Sequence, residues 1–274
     1  MKRALVVVLF VASCVDPQSA ETQFCQARPE LCPSDAGSQV DAGFDAGFDA
    51  GVDAGCLRDE EFDGGWSACS TFFEPLTSNP LPFVENGALV FHQEGPNRGW
   101  SNGNIGSLLS QRVTGNFVAE TFSRVIVPDG GRIGAYTAAA LLAVAPLSPT
   151  LNSRLVSVGS LDVQPDGGNI FGVLSQRTSL GISDFRSVAN GQTEMVLRLC
   201  RVGNDFYVFT RPSDGGALSG FITQFIDSGV TLPEEVLVGP AAYNVGGITT
   251  RIEHDYFRIS QDVNASSDCG RALP

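Results

Sequence analysis

From residue 88 to residue 260 the chain alternates short runs of branched and aromatic residues with clusters of turn formers. Ala88 to His92, Asn116 to Val127, Arg154 to Val158, Met195 to Val202 and Phe206 to Thr210 are such runs, each ending near Gly, Pro, Asn or Asp. Runs of that length and composition, bounded in that way, predict strands. Tyr136 to Ala145 differs, because it is apolar throughout and holds Ala138, Ala139 and Ala140. Its alanines favour a helix, but unbroken apolarity also fits a strand buried on both faces; we read it as a strand. Roughly a dozen strands without strand-helix alternation predict an all-β fold, a two-sheet antiparallel sandwich. Pro128-Asp129-Gly130-Gly131, Pro165-Asp166-Gly167-Gly168 and Pro212-Ser213-Asp214-Gly215-Gly216 supply hairpin ends, since Pro presets φ, Asp bonds its own backbone and Gly accepts positive φ. Calcium is the sharper reading of these turns, but each offers a single carboxylate.

The first 55 residues have another texture. Lys2 and Arg3 precede an apolar run from Ala4 to Val11, which is too short to cross a bilayer, where about 20 residues are needed. Val11-Ala12-Ser13-Cys14 then resembles the bacterial lipobox. That resemblance implies a signal peptide over residues 1–13 and a lipid on Cys14. The alternative is a cleaved secretory peptide in which Cys14 is incidental. Val15 after Cys14 leans toward outer-membrane sorting.

Residues 14–55 carry a four-residue repeat, Asp41-Ala42-Gly43-Phe44 to Asp53-Ala54-Gly55. A glycine in every unit costs a helix about 0.8–1 kcal/mol each relative to alanine, and the aspartates repel one another, so the segment reads as a solvated tether. About 40 such residues span roughly 35 Å on average and at most about 130 Å. One carboxylate per unit makes calcium coordination the weaker reading.

The charge follows the same division. The formal net charge is −13, yet residues 15–63 hold twelve acids against Arg28 and Arg58, a net of −10, and residues 64–274 carry only −5. A sandwich spanning residues 56–274 thus has no basic footprint for nucleic acid or anionic lipid. Setting Cys14 aside leaves Cys25, Cys32, Cys56, Cys69, Cys200 and Cys269, an even number without CxxC spacing, which in an exported chain predicts disulfides. Cys25 with Cys32 closes the easiest loop. With only His92 and His254 besides, no metal site and no cofactor are expected.

Four side chains are candidates for holding a ligand. Trp100, Asn102 and Asn104 lie in the loop-like stretch Arg98-Gly-Trp-Ser-Asn-Gly-Asn104, where a ring could cover a sugar's apolar face and amides could meet its hydroxyls. Tyr256 is the fourth, with Tyr207 and Tyr243 behind it. The competing reading makes Trp100 a rim residue closing one end of the sandwich, and Trp66 reads as core.

Gly106-Ser-Leu-Leu-Ser-Gln-Arg-Val-Thr-Gly-Asn-Phe-Val-Ala-Glu-Thr121, Leu197-Arg-Leu-Cys-Arg-Val-Gly-Asn-Asp-Phe-Tyr207, Ser213-Asp-Gly215 and Asp255-Tyr-Phe-Arg-Ile259 occur in an order similar to that of the DUF1349-type branch of concanavalin A-like lectin/glucanase domains. The resemblance implies a jelly roll with a concave face that in many relatives holds carbohydrate. It also implies neighbouring first and last strands, and with them Cys56–Cys269 and Cys69–Cys200 bridges. The sequence departs from the catalytic branches. A retaining glycosidase needs two carboxylates about 5–5.5 Å apart. Glu253-His254-Asp255 is the nearest approach, and Phe257 stands where a third acid would follow. The expectation is therefore a lipid-anchored, non-catalytic envelope protein binding a glycan. An adhesive lipoprotein with a protein partner and a divergent glycoside hydrolase are the alternatives.

Overall fold

The computed structural model describes residues 56–73, 81–93, 96–98, 100, 106–127, 131–147, 152–164, 168–215, 217, 219–225 and 231–273. The expectations for Cys14, Cys25, Cys32, Asn102, Asn104 and the Asp-Ala-Gly repeat lie outside them.

Fifteen strands among these residues form two antiparallel sheets. The first runs β1 (Thr71–Phe73), β5 (Ser107–Thr114), β14 (Glu235–Gly246), β7 (Thr137–Val144), β8 (Ser153–Val163), β9 (Asn169–Ser179) and β10 (Ile182–Ala189), with β4 (Pro96–Arg98) beside the end of β14. The second runs β13 (Ser219–Phe225), β12 (Asp205–Arg211), β11 (Glu194–Val202), β6 (Phe117–Ile126), β15 (Thr250–Ser260), β3 (Ala88–Gln93) and β2 (Phe83–Glu85). The two antiparallel sheets are the sandwich the pattern predicted, and neighbours such as β5 with β14, or β6 with β15, are far apart in sequence, as in the jelly roll the resemblance implied.

The core lies between the sheets. Leu109, Val113, Leu141, Val156, Val158, Val236 and Val238 come from the first sheet; Phe91, Phe117, Leu197, Leu199, Phe206, Val208, Ile252 and Phe257 come from the second. Trp66 packs against this cluster, in keeping with its reading as core. Tyr136 to Ala145 is a strand over Thr137–Val144, and all eight residues are buried. Ala139, Leu141 and Ala143 face the core, while the alternate Ala138, Ala140, Leu142 and Val144 face the other way and are buried too. Burial on both faces is why the strand shows no polar alternation.

His254 also faces inward. Its Nε2 lies 3.2 Å from the Ala241 carbonyl on the opposite sheet, its Nδ1 2.8 Å from Ser123 Oγ, and its ring stands edge-on to Phe91. A carbonyl only accepts, so Nε2 carries the proton and Nδ1 accepts from the hydroxyl. Burial lowers its pKa to about 3, and the ring is neutral.

The disulfides correct the pairing implied by the resemblance: Cys56 bonds Cys69, and Cys200 bonds Cys269. The first and last segments do meet, because Glu60 bridges Phe257 on β15. The chain then turns through Phe62, at φ 52°, and Gly65, at φ 124°. The Glu60 carboxylate accepts from Ser67 N–H, Ser67 Oγ and Ser70 Oγ, which folds the loop back and sets Cys69 beside Cys56. Cys269 lies instead in the 3-10 turn Ser266–Gly270, in a small cluster with Val118, Cys200 and Val263. Two disulfides persist in oxidising compartments, so this is an extracytoplasmic domain. No helix among the described residues is long and apolar enough to cross a membrane.

Candidate functional site

Trp100 is only 3% exposed. Its carbonyl accepts from Gln176 Nε2 and, at 3.4 Å, from Thr178 Oγ1 on β9. Its indole Nε1 lies against Gly106, where an added Cβ would come within 2.7 Å of that nitrogen and 2.3 Å of the Ala242 carbonyl oxygen. The glycine lets the indole seat on the backbone. On the same outer face of the first sheet, Tyr243 is buried with its hydroxyl 2.9 Å from Ser157 Oγ, and burial pushes its pKa up to about 12. These two rings cover the first sheet and offer a ligand little surface.

The outer face of the second sheet is built differently. Strand alternation sends Leu197 and Leu199 into the core and Arg198 outward, directly opposite Glu120 of β6. Arg198 Nε donates to Glu120 Oε2 at 2.9 Å and Nη2 to the same oxygen at 2.5 Å. Arg198 Nη1 donates to the Cys269 and Arg271 carbonyls at 3.0 and 2.5 Å, fastening the C-terminal segment over the sheet. Tyr256 Oη donates to Glu120 Oε1 at 2.9 Å, and Arg211 Nη2 reaches that oxygen at 3.5 Å. Burial and the adjacent Glu120 raise the Tyr256 pKa well above the ordinary tyrosine value, so the hydroxyl stays a donor. The Arg258 guanidinium lies 4.7 Å from the Tyr256 ring centroid.

Above this cluster sits a cavity of about 450 Å³ lined by Arg198, Phe209, Arg211, Gly215, Ala217, Gly270 and Ala272, within the size range of small-molecule sites. The Pro212 turn that brings Gly215 to its wall is tied to β11 by Ser213 Oγ donating to Glu194 at 2.8 Å. Phe209 supplies an apolar wall. Arg211 is partly exposed, and its Nε is without a hydrogen-bond partner among the described residues. The geometry suits a group that is apolar on one face and presents an anion or several hydroxyls on the other.

Glu253 and Asp255 share the outer face of the second sheet with this cluster. Arg124 pairs with both, 2.9 Å from Asp255, and Arg251 pairs with Glu253 and, at 2.6 Å, with Glu85. Burial alone would raise the Glu253 pKa, but the hydrogen bonds from Arg251 and Arg124 outweigh it and hold the group below its ordinary value. Asp255 moves up, chiefly through burial, against the pull of Arg124.

Of the sequence candidates, Tyr256 stands in the cluster beneath the cavity with its hydroxyl committed to Glu120, while Trp100 lies on the other sheet. Sequence reasoning missed Glu120, Arg198, Phe209 and Arg211. The available signal was a single charge at an alternate position inside an apolar run, as in Met195-Val-Leu-Arg-Leu-Cys, which requires an opposite charge on a neighbouring strand. No metal-ligating cluster of His, Cys, Asp or Glu occurs among the described residues.

No protein-family model matches the sequence, and no curated protein matches it significantly. Among solved structures the chain is similar to a functionally unknown protein from Saccharomyces cerevisiae, with a TM-score of 0.51 and 14% identity over 72% of this chain and 98% of that one. It is similar to a xylan β-1,4-xylosidase from Bacillus halodurans, with a TM-score of 0.56 and 12% identity over 84% of this chain and 41% of that one. A bifunctional GH43-CE protein from Bacteroides eggerthii gives a TM-score of 0.58 and 12% identity over 78% of this chain and 27% of that one. The chain thus spans nearly all of the yeast protein but less than half of either larger one. At these identities the likeness is one of fold, a concanavalin-like β-sandwich of the kind found in GH43 chains.

Proposed function

We propose that this chain is a lipid-anchored surface protein whose sandwich binds an acidic saccharide and does not cleave it. The observation that carries the reading is the cavity over β11 and β12, which the partly exposed Arg211 side chain and Phe209 line together. A uronate ring meets both demands, setting its apolar face on the phenyl ring and its carboxylate on the guanidinium. The naming of two fold neighbours as a xylan β-1,4-xylosidase and a GH43-CE protein supports a saccharide as the ligand class. Support for a non-catalytic role comes from the carboxylates of that face. Glu120, Glu253 and Asp255 are each held by arginine, whereas glycosidase chemistry needs one carboxyl protonated and a second placed to act on the sugar. Anchoring rests on the apolar start, the lipobox at Cys14 and the tether that follows, with the DUF1349-type resemblance extending over the sandwich.

Calorimetric titration of the full chain with glucuronate- and galacturonate-containing oligosaccharides tests the site. Binding is expected, with a loss of at least tenfold in Arg211→Gln and in Phe209→Ala, and with neutral xylo-oligosaccharides binding more weakly. Equal affinity in Arg211→Gln, or no affinity for any uronide, refutes the assignment. Release of reducing ends from any of these sugars overturns the non-catalytic reading. Cys14→Ser is expected to move the protein from the membrane to the soluble fraction, and a wild-type chain already soluble removes the anchor.

A further inference from the structure

Among the described residues the two sheets end in β1 and β10 and in β13 and β2, and the three-residue β4 pairs with β14 alone. β1 and β2 have three residues each, and β13 pairs with β12 through two register shifts. β10 is different. It has eight residues, no proline, and an unbroken register with β9 from Ile182↔Ser179 to Ala189↔Gly172. Ile182, Phe185 and Val188 are 73, 50 and 49% exposed on it. Edge strands of monomers are ordinarily short, bulged, proline-bearing or heavily charged, because a long regular one is a template for pairing.

The hydrogen-bonding groups that β10 leaves open can be assigned. Asn190 N–H donates to Phe171 O at 3.2 Å, immediately beyond the last registered pair. Hydrogen-bonded and non-bonded pairs alternate along an antiparallel ladder, so Ile182, Asp184, Arg186 and Val188 bond inward to β9. Ser183, Phe185 and Ser187 point their N–H and C=O outward from the edge.

We propose that β10 pairs with β10 of a second copy of this chain, antiparallel, about a two-fold axis through Phe185. In that register Phe185 faces Phe185 and Ser183 faces Ser187, all through outward-pointing groups, so the dyad falls on a hydrogen-bonded pair. The non-bonded pairs, where side chains approach more closely, are then Asp184 with Arg186 and Ile182 with Val188, each occurring twice. Charge meets opposite charge, apolar meets apolar and serine meets serine along one short strand. A shift of the axis by one residue would put Arg186 or Asp184 on the dyad facing its own copy, and would call on groups already bonded to β9. Asp184 also pairs with Arg177 on its own β9, yet its side chain is 63% exposed and keeps acceptor capacity. The interface is isologous, as a two-fold dimer requires.

Sedimentation velocity on the full chain, in detergent and across a concentration series to the millimolar range, is expected to show a monomer–dimer equilibrium. Arg186→Glu sets acid against acid in both ion pairs, and Asp184→Arg sets base against base; each alone is expected to weaken the dimer on the order of tenfold or more. Mixed together, the two variants recover opposite charges at both positions and are expected to form a heterodimer. Recovery on mixing also shows that both are folded. Phe185→Cys is expected to form an intermolecular disulfide on oxidation, since hydrogen-bonded antiparallel partners lie about 5.5 Å apart at Cα. A monomer throughout the series, a dimer indifferent to both reversals, or variants that stay monomeric when mixed overturns the proposal.

Discussion

Removing the Cys200–Cys269 disulfide should cost more than removing Cys56–Cys69, and the difference can be estimated from chain length. The partners are 69 residues apart in the first case and 13 in the second. In the loop-entropy treatment these closures stabilise by about 4.4 and about 2.9 kcal/mol at 25 °C, a difference of about 1.5 kcal/mol. For a folded part of this size a loss of about 4 kcal/mol lowers the melting temperature by roughly 10 °C, and about 3 kcal/mol by roughly 7 °C. The perturbations are the paired alanine variants Cys200→Ala/Cys269→Ala and Cys56→Ala/Cys69→Ala, melted by calorimetry under identical conditions. The longer loop has a second consequence. The Cys269 and Arg271 carbonyls accept from the Arg198 guanidinium, and Gly270 between them lines the cavity, so the open variant should also bind its ligand more weakly. The Cys56–Cys69 variant should keep full affinity. An equal or larger loss of stability in the Cys56–Cys69 variant would refute the loop-length reasoning, and unchanged affinity without Cys200–Cys269 would refute the view that the disulfide supports the cavity.

Four further outcomes follow from single contacts. Glu120→Gln leaves the Arg198 side chain, 2% exposed, without a countercharge, and should cost about 3–5 kcal/mol in urea denaturation, much of it restored in Glu120→Leu/Arg198→Met. Gly106→Ala drives a methyl group into the Ala242 carbonyl and the Trp100 indole, and should cost about 1–3 kcal/mol while shifting tryptophan emission to the red. His254 has an ordinary value of 6.5 and a folded value of about 3, so the unfolded chain takes up a proton that the native state refuses; stability is complete above about 6.5 and falls as pH drops toward 3, and His254→Gln should flatten that slope in pH-dependent denaturation. Leu180 sits at φ 51° in the hairpin between β9 and β10, where Asn is better suited, so Leu180→Asn should stabilise by about 1 kcal/mol in thermal melts.

The sandwich could be read from the sequence because each strand signal is local. β6, β11 and β12 appear as branched and aromatic runs, and the only ambiguous run, that of β7, lost its alternation to burial on both faces. The disulfide pairing could not be read in the same way. Neighbouring first and last strands were expected, but β1 and β15 lie in different sheets; only the isolated bridge of Glu60 to Phe257 meets the last strand, and the bond is decided by a loop that folds back on the Glu60 carboxylate. The candidate site was obscured for a related reason. Arg198 and Glu120 are 78 residues apart and meet only because β11 lies beside β6. Trp100 looked accessible because Gly, Ser and Asn surround it, whereas Gly106, a few residues on, is what admits its indole to the backbone.

The two outer faces of the sandwich differ because of the central strands beneath them. On β7 the outward residues are Ala138, Ala140, Leu142 and Val144, a surface that gains by being covered, and Trp100 and Tyr243 lie buried on the outer face of the same sheet. On β6, β11 and β15 the outer face carries Glu120, Arg124, Arg198, Glu253 and Arg258, whose desolvation would cost more than an apolar cover could return. The cover there is therefore partial, a short C-terminal turn fixed by one disulfide and by arginine bonds to its carbonyls, and the cavity lies beside it. Pairing through β10 would add a geometric consequence. A two-fold axis through Phe185 stands normal to the first sheet, so it carries the second sheet of each copy to the same side. Both cavities would then open in one direction, and a polymer of acidic sugars could occupy the two together with an avidity neither site has alone.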